Sequence, residues 1–194
     1  MVGRLKKVNV ILFGPPGAGK GTQAKFLVKQ LNNFQISTGD MLRDEIQKNS
    51  EIGKKIVEDM NDGRFVSDEI VNSLIEKVIS DPGKKNKLIF DGYPRSLTQA
   101  KNLDKLLIKT NQKINFVFFL NVNKETIIKR IKQRKTIENR SDDNLNTIVK
   151  RYDKYMETTK PVLEFYSKNS NFFELDGSTK VEEITAKINT FINV

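Results

Sequence analysis

The stretch "VNVILFGPPGAGKGTQ" (8–23) decides how the rest of the chain is read. An apolar run, 8–13, ends in a Gly/Pro-rich turn, and Lys20 closes that turn at the head of a segment with helical spacing. Strand, glycine loop and helix in that order make a cradle for phosphate. Glycines let successive backbone N–H groups turn inward, and the helix contributes the positive end of its dipole. Lys20 would reach the outer phosphates as a point charge. The usual pattern, G-x-x-x-x-G-K-[ST], places a hydroxyl directly after the lysine to ligate magnesium. Here Gly21 holds that place and Thr22 comes one residue late. A magnesium ion beside this loop would be held by phosphate oxygens and water, which suits its reluctance to dehydrate. Asp91, at the end of "KLIFD" (87–91), is the expected acceptor for those waters.

At 194 residues the chain is long enough for one domain with a sizeable core. Hydrophobic content of 37% and charged content of 30% fit a soluble globular protein. No run approaches the roughly 18 apolar residues of a membrane span. The segment "MVGRLKKVNVILFG" pairs basic with apolar residues as a secretory signal does, but its apolar run is short and the glycine loop follows at once. A buried strand and a cytoplasmic protein are therefore expected. The absence of cysteine rules out disulfides and thiolate zinc sites, and the absence of histidine requires any catalysis to proceed without imidazole. The formal charge of +10 raises the question of nucleic acid. The lysines, however, are scattered without one dense basic stripe, which favours solvated lysine faces beside a phosphate site over a polynucleotide track.

Short apolar runs alternate with helical patterns along the whole chain. The runs lie at 8–13, 34–37, 87–91, 115–120 and 171–175, and helical spacing occupies 21–31, 96–107, 123–134 and 142–168. Nearly continuous apolar strands, each followed by a helix, predict a five-stranded parallel sheet covered on both faces, with right-handed crossovers. Two stretches exceed a minimal crossover. Residues 38–79 hold about three short helices, broken at "KNSE" and "DGRFVSD". Residues 135–141, "KTIENRS", read as a brief polar loop between two helices. Both follow the carboxyl end of a strand, where open α/β sheets bind ligands, so both are candidate lids.

Arginine is rare here and unevenly placed. Of the eight, only Arg4 falls outside segments expected near the ligand edge; the others are Arg43, Arg64, Arg95, Arg130, Arg134, Arg140 and Arg151. A guanidinium binds phosphate through a planar fork, which a lysine cannot do. Arg130 and Arg134 are spaced i,i+4 and share a helix face, while Arg140 and Arg151 lie about three turns apart. Any one of these could be an exposed helix arginine beside an aspartate. As a set beside one phosphate loop they predict more phosphate than a single triphosphate carries, hence a donor and an acceptor nucleotide.

These features are carried by "GPPGAGKGTQ" (14–23), "STGDMLR" (37–43), "GRFVSDEIV" (63–71), "DGYPRSLTQA" (91–100), "RIKQR" (130–134), "NRSDDN" (139–144) and "KRYDKY" (150–155). Together they resemble the adenylate kinases of the nucleoside monophosphate kinase family, over about 7–191. The resemblance implies a P-loop NTPase-type core at 1–37, 68–129 and 142–194, an acceptor-nucleotide lobe at 38–67 and a short lid at 130–141. It implies magnesium-dependent phosphoryl transfer from ATP to AMP, giving ADP, by a monomer without zinc. ATP would lie on Gly17, Ala18, Gly19, Lys20, Gly21, Thr22, Arg130 and Arg134, with adenine near Thr179. AMP would lie on Thr38, Arg43, Arg64, Phe65, Val66, Gly92, Tyr93, Pro94, Arg95 and Gln99. Arg140 and Arg151 would bridge the phosphates. Lys20, Arg95, Arg130, Arg134, Arg140 and Arg151 would form the catalytic set, with Asp142 and Asp143 orienting lid arginines. Within the family, a UMP/CMP kinase is the competing expectation. Thr38 in "STGD" and the Gln99 amide, which matches an adenine edge in both senses, favour AMP. A P-loop switch or nucleic-acid ATPase is the alternative from another class, but "NKET" (123–126) lacks a base-reading aspartate.

Overall fold

The computed structural model describes residues 7–138 and 145–192; for 134–138 and 145–146 it describes the backbone alone. Five parallel strands, β1 (Val10–Phe13), β2 (Phe34–Ser37), β3 (Leu88–Asp91), β4 (Phe116–Asn121) and β5 (Phe172–Asp176), form one sheet in the order β2-β3-β1-β4-β5. All five lie within about two residues of the predicted runs. The apolar residues of β1 serve both faces alternately. Ile11 and Phe13 pack with Ile36 and Phe90 into one core, while Val10 and Leu12 pack with Ile89 and Phe118 into the other. That double burial is why the strand reads as an unbroken apolar run.

Helix α1 (Lys20–Leu31) follows β1. The long β2–β3 connection contains α2 (Thr38–Gln47), α3 (Glu51–Asn61) and α4 (Asp68–Ile79), broken where "KNSE" and "DGRFVSD" predict. Ser37 and Ser50 start the first two of these by accepting from the backbone N–H of Asp40 and Gly53. Helix α5 (Leu97–Lys109) lies between β3 and β4, and α6 (Lys124–Glu138) follows β4.

Three expectations need correction. Helix α6 runs on through Glu138, so the first half of the predicted polar loop at 135–141 is helical; lysine and glutamate are polar but good helix formers. The single helix expected over 142–168 is α7 (Leu145–Lys154), a π-helical turn (Tyr155–Thr159) and α8 (Lys160–Ser167), the wide turn sitting against the cleft. A last helix, α9 (Val181–Ile192), was not predicted, although Ile184, Ile188 and Ile192 recur at i,i+4 and are buried. Residues 139–144, with Arg140, Asp142 and Asp143, lie outside the described residues. Among the described residues no helix is long and apolar enough to cross a membrane.

Candidate active site

The chain crosses from one side of β1 to the other at the carboxyl edge of the sheet, and there a cavity of about 660 Å³ opens. Its floor is the 14–22 loop. Three glycines in this loop have positive φ: Gly14 at 151°, Gly17 at 82° and Gly19 at 96°. At Gly17 a Cβ would come within 2.8 Å of Ile131 Cγ1, so α6 packs directly on the loop. At Gly19 a Cβ would meet nothing within 4 Å, so there the backbone faces open space. Gly19 starts α1 without a side-chain cap, and no residue of the first turn is acidic, so the carboxylate beside this helix end comes from another element. Lys20 folds back over the loop and donates from Nζ to the carbonyls of Gly14 (2.8 Å) and Pro15 (3.1 Å).

Gly21 sits directly against the carboxylate at the end of β3: a Cβ there would lie 3.3 Å from Asp91 Oδ2. Gln35 Nε2 donates to the same oxygen at 3.0 Å. One carboxylate faces the loop, and among the described residues no group of three or more potential ligands stands together to chelate a cation. A cation here would take its remaining ligands from water and phosphate, a donor set that fits magnesium.

The β3 side of the cleft centres on Arg95. Its Nε donates to Gly92 O at 2.6 Å and its Nη2 to Thr38 Oγ1 at 3.3 Å, and its guanidinium lies 5.0 Å from the centre of the Phe65 ring. Its backbone is held as firmly. The N–H donates to Gln99 Oε1 at 2.7 Å, and the carbonyl accepts from Thr159 Oγ1, on the π turn, at 3.1 Å. Desolvation pulls the pKa of Arg95 down to about 10, reinforced by Arg151 and Arg43 and opposed by Asp91. A cation disfavoured in this way, with like charges nearby, is an electrostatic seat for an anion. Gly92, at φ 73°, admits the guanidinium, since a Cβ would approach its Nη2 to 3.0 Å. Tyr93 is wholly buried and precedes Pro94 through a cis peptide bond, and its hydroxyl donates to Asn72 Oδ1 at 2.8 Å.

The other predicted arginines are distributed as follows. Arg43 and Arg151 line the cavity, Arg43 paired with Asp40. Arg64 lines it too, beside Phe65 and Val66, but its guanidinium binds Asp59 and Asp62. Arg130 reaches the carbonyls of Gly177 (2.7 Å), Ala18 (3.4 Å) and Thr179 (3.5 Å), so it ties the turn after β5 to the glycine loop. Thr179 belongs to that turn and donates to Asp176 O. The side chain of Arg134, like all of Arg140, is outside the described residues. Thr38 and Gln99 wall a small side cavity that shares Arg95, Phe65 and Val66 with the large one.

Sequence reasoning passed over Asp68, Ser96, Gln35 and Thr159, each bonded to a residue it did find. Only Ser96 had a local signal. Ser-x-x-Gln at 96–99 is a capping-box spacing, and Ser96 Oγ accepts from the Gln99 N–H at 3.1 Å.

A parallel sheet whose first strand runs through a glycine loop into a helix, facing a cleft walled by arginines from separate segments, defines a P-loop nucleotide-binding enzyme. The Adenylate kinase family profile matches residues 12–171. An adenylate kinase of Pelagibacter ubique (strain HTCC1062) is 46% identical, covering 96% of this chain and 100% of the relative. One of Caulobacter sp. (strain K31) is 43% identical, covering 96% and 99%. One of Mycoplasma capricolum subsp. capricolum is 40% identical, covering 87% and 91%. The chain belongs to the adenylate kinase family, and with it to the nucleoside monophosphate phosphotransferases.

Proposed function

We propose that this protein moves the terminal phosphoryl group of ATP reversibly onto AMP, giving two molecules of ADP. One observation carries the reading: Lys20 and its loop line the same cavity as Arg43, Arg95 and Arg151, which come from three other segments of the chain. An acceptor phosphate on Arg95 and Arg43 would face a donor chain seated on the loop. A phosphate oxygen of AMP then bonds to the γ-phosphorus while the bond to the β–γ bridging oxygen breaks, with both electrons passing to ADP. The attacking oxygen is already anionic at neutral pH, so no general base is required, and a chain without histidine suffices. The residues supply alignment and positive charge. Arg151 bridges donor and acceptor, Arg130 fixes the donor turn at 177–179, and Arg134 and Arg140 complete the ring from the lid side.

Magnesium fits this site through the Asp91 carboxylate, which would accept hydrogen bonds from its waters. When bound, the ion neutralises charge on the outer phosphates. Residues 38–67 serve as the acceptor lobe and 130–141 as the lid, and closure of both keeps water from taking the phosphoryl group. The same reading makes the protein a cytoplasmic monomer that acts on free nucleotides.

The test is acceptor competition: AMP, CMP, UMP and GMP supplied separately with ATP and magnesium, and diphosphates quantified. AMP should be phosphorylated at least about tenfold faster than any other, the discrimination expected when a buried polar site matches only one base. Equal or faster turnover of CMP or UMP would replace this reading with a pyrimidine nucleotide kinase. No diphosphate from any acceptor would end it.

A further inference from the structure

Gln99 is 3% exposed, and both ends of its amide are already bonded to protein. Oε1 accepts from the Arg95 N–H at 2.7 Å, and Nε2 donates to Asp68 Oδ1 at 2.6 Å. Asp68 is held in turn, because Ser96 Oγ donates to its other oxygen at 2.6 Å. The network joins the first residue of α4, where the chain leaves the 38–67 segment, to the first turn of α5. A primary amide has two N–H donors and two carbonyl lone pairs. One of each is used here, so one N–H and one lone pair remain for a ligand. Their order is fixed, since an N–H neighbour demands the carbonyl on one side and a carboxylate demands the NH2 on the other. Rotating the amide by half a turn would set NH2 against N–H and oxygen against carboxylate, costing two hydrogen bonds and adding two repulsions.

We propose that Asp68 is a positioning residue that locks the order of the Gln99 amide, and that this lock makes the acceptor site read a 6-amino purine and reject a 6-oxo purine. The inference rests on the AMP reading above. Adenine offers a donor at N6 and an acceptor at N1, which pair with a carbonyl and an NH2 in that order. A 6-oxo purine offers the reverse, an acceptor at O6 and a donor at N1, and pairs only with the rotated amide. Asp68 touches neither base. It acts by withholding the second orientation of Gln99.

Inosine monophosphate is the discriminating probe, because it differs from AMP only at this edge. In Asp68→Ala the ratio of kcat/KM for AMP over IMP should fall about tenfold, since one orienting bond is lost and the other remains. The KM for ATP should stay within about twofold. Asp68→Asn, which can still accept from Nε2 through Oδ1, should recover part of the ratio. A merely structural role would lower both acceptors together and leave the ratio unchanged, and that result overturns the proposal. Side-chain amide NMR of the ligand-free protein tests the lock without catalysis, and its wild-type half needs no variant. One Gln99 NH2 proton should exchange slowly in the wild type, and the protection should disappear in Asp68→Ala. Two freely exchanging protons in the wild type would overturn the lock itself. If wild-type protein turned over no AMP at all, the function would be wrong while the NMR result still judged the lock.

Discussion

At the carboxyl end of β1 the cleft is floored mainly by backbone, while at the carboxyl end of β3 it is walled mainly by side chains. The first is shaped by glycines at positive φ and a helix start without a side-chain cap, with Lys20 laid across it. The second is a chain of mutual holds: Asp68 on Gln99, Gln99 on the Arg95 N–H, Arg95 on Gly92 and Thr38, and Thr159 on the Arg95 carbonyl. A backbone site fails when atoms are added. A side-chain site fails when a partner is removed. The two halves of the cleft therefore make separable predictions.

The largest effect is expected on the side-chain half. Arg95→Lys keeps the charge but loses the fork and the bond from Nε to Gly92. Turnover should fall by about 10³-fold or more, the range attached to a phosphate-directed arginine in such reactions. Arg95→Met should fall further in activity yet be no less stable without ligand, because it removes a desolvated cation that sits near two other arginines. Denaturant unfolding beside steady-state rates checks both. A large loss of stability in Arg95→Met would mean that the guanidinium holds the fold rather than the substrate.

The backbone half is sharpened by comparing two glycines. Gly17→Ala combines a strained φ with overlap against the buried Ile131 and should cost about 2–3 kcal/mol of stability. Gly19→Ala has the strain without the overlap and should cost about 1 kcal/mol. Both should raise KM for ATP while leaving KM for AMP nearly alone. Equal stability losses would show that contact with α6 does not dictate the glycine at 17. A matching rise in KM for AMP would dissolve the distinction between the two halves.

The same division explains what could be read from the chain. Strand positions, the glycine loop and the three helices of 38–79 follow from apolar periodicity and cap residues within a few positions of one another, and these were legible. Gly21 is a legible departure from the common pattern, but its neighbour, Asp91 Oδ2 at 3.3 Å from a Cβ there, lies 70 positions away and needs the sheet to be assembled. Asp68 was invisible for the same reason: at the start of a helix it looks like any first-turn carboxylate. The run of α6 past Arg134 holds one apolar residue, Ile137, so its sequence suits a polar loop as well as a helix. Helix α9 carries its signal in three buried isoleucines at i,i+4 spacing.

The smallest effect lies beneath the side-chain half, where two tyrosines, Tyr93 and Tyr166, sit in one core. Tyr93 has partners in Asn72 and the Gln99 carbonyl, but the Tyr166 hydroxyl has none among the described residues. Tyr166→Phe should therefore stabilise the protein by up to about 1 kcal/mol, whereas Tyr93→Phe should destabilise it by a similar amount. Burial raises the pKa of Tyr93 to about 12 and pushes those of Tyr155 and Tyr166 further up. The folded state then keeps phenolic protons that the unfolded chain releases near pH 10, so stability present at neutral pH is lost as pH rises above about 10. Arg95 acts in the opposite sense. Its folded pKa of about 10 lies below the ordinary 12.5, so between those values the unfolded state binds the extra proton and stability gains. Three phenols outweigh one guanidinium, and the net slope should be downward. Urea midpoints at pH 7 and pH 11 measure it: Tyr166→Phe should flatten the fall, and Arg95→Met should steepen it. A Tyr166→Phe variant less stable at pH 7 would place a hydrogen-bonding water against that hydroxyl, and the contrast between the two tyrosines would vanish.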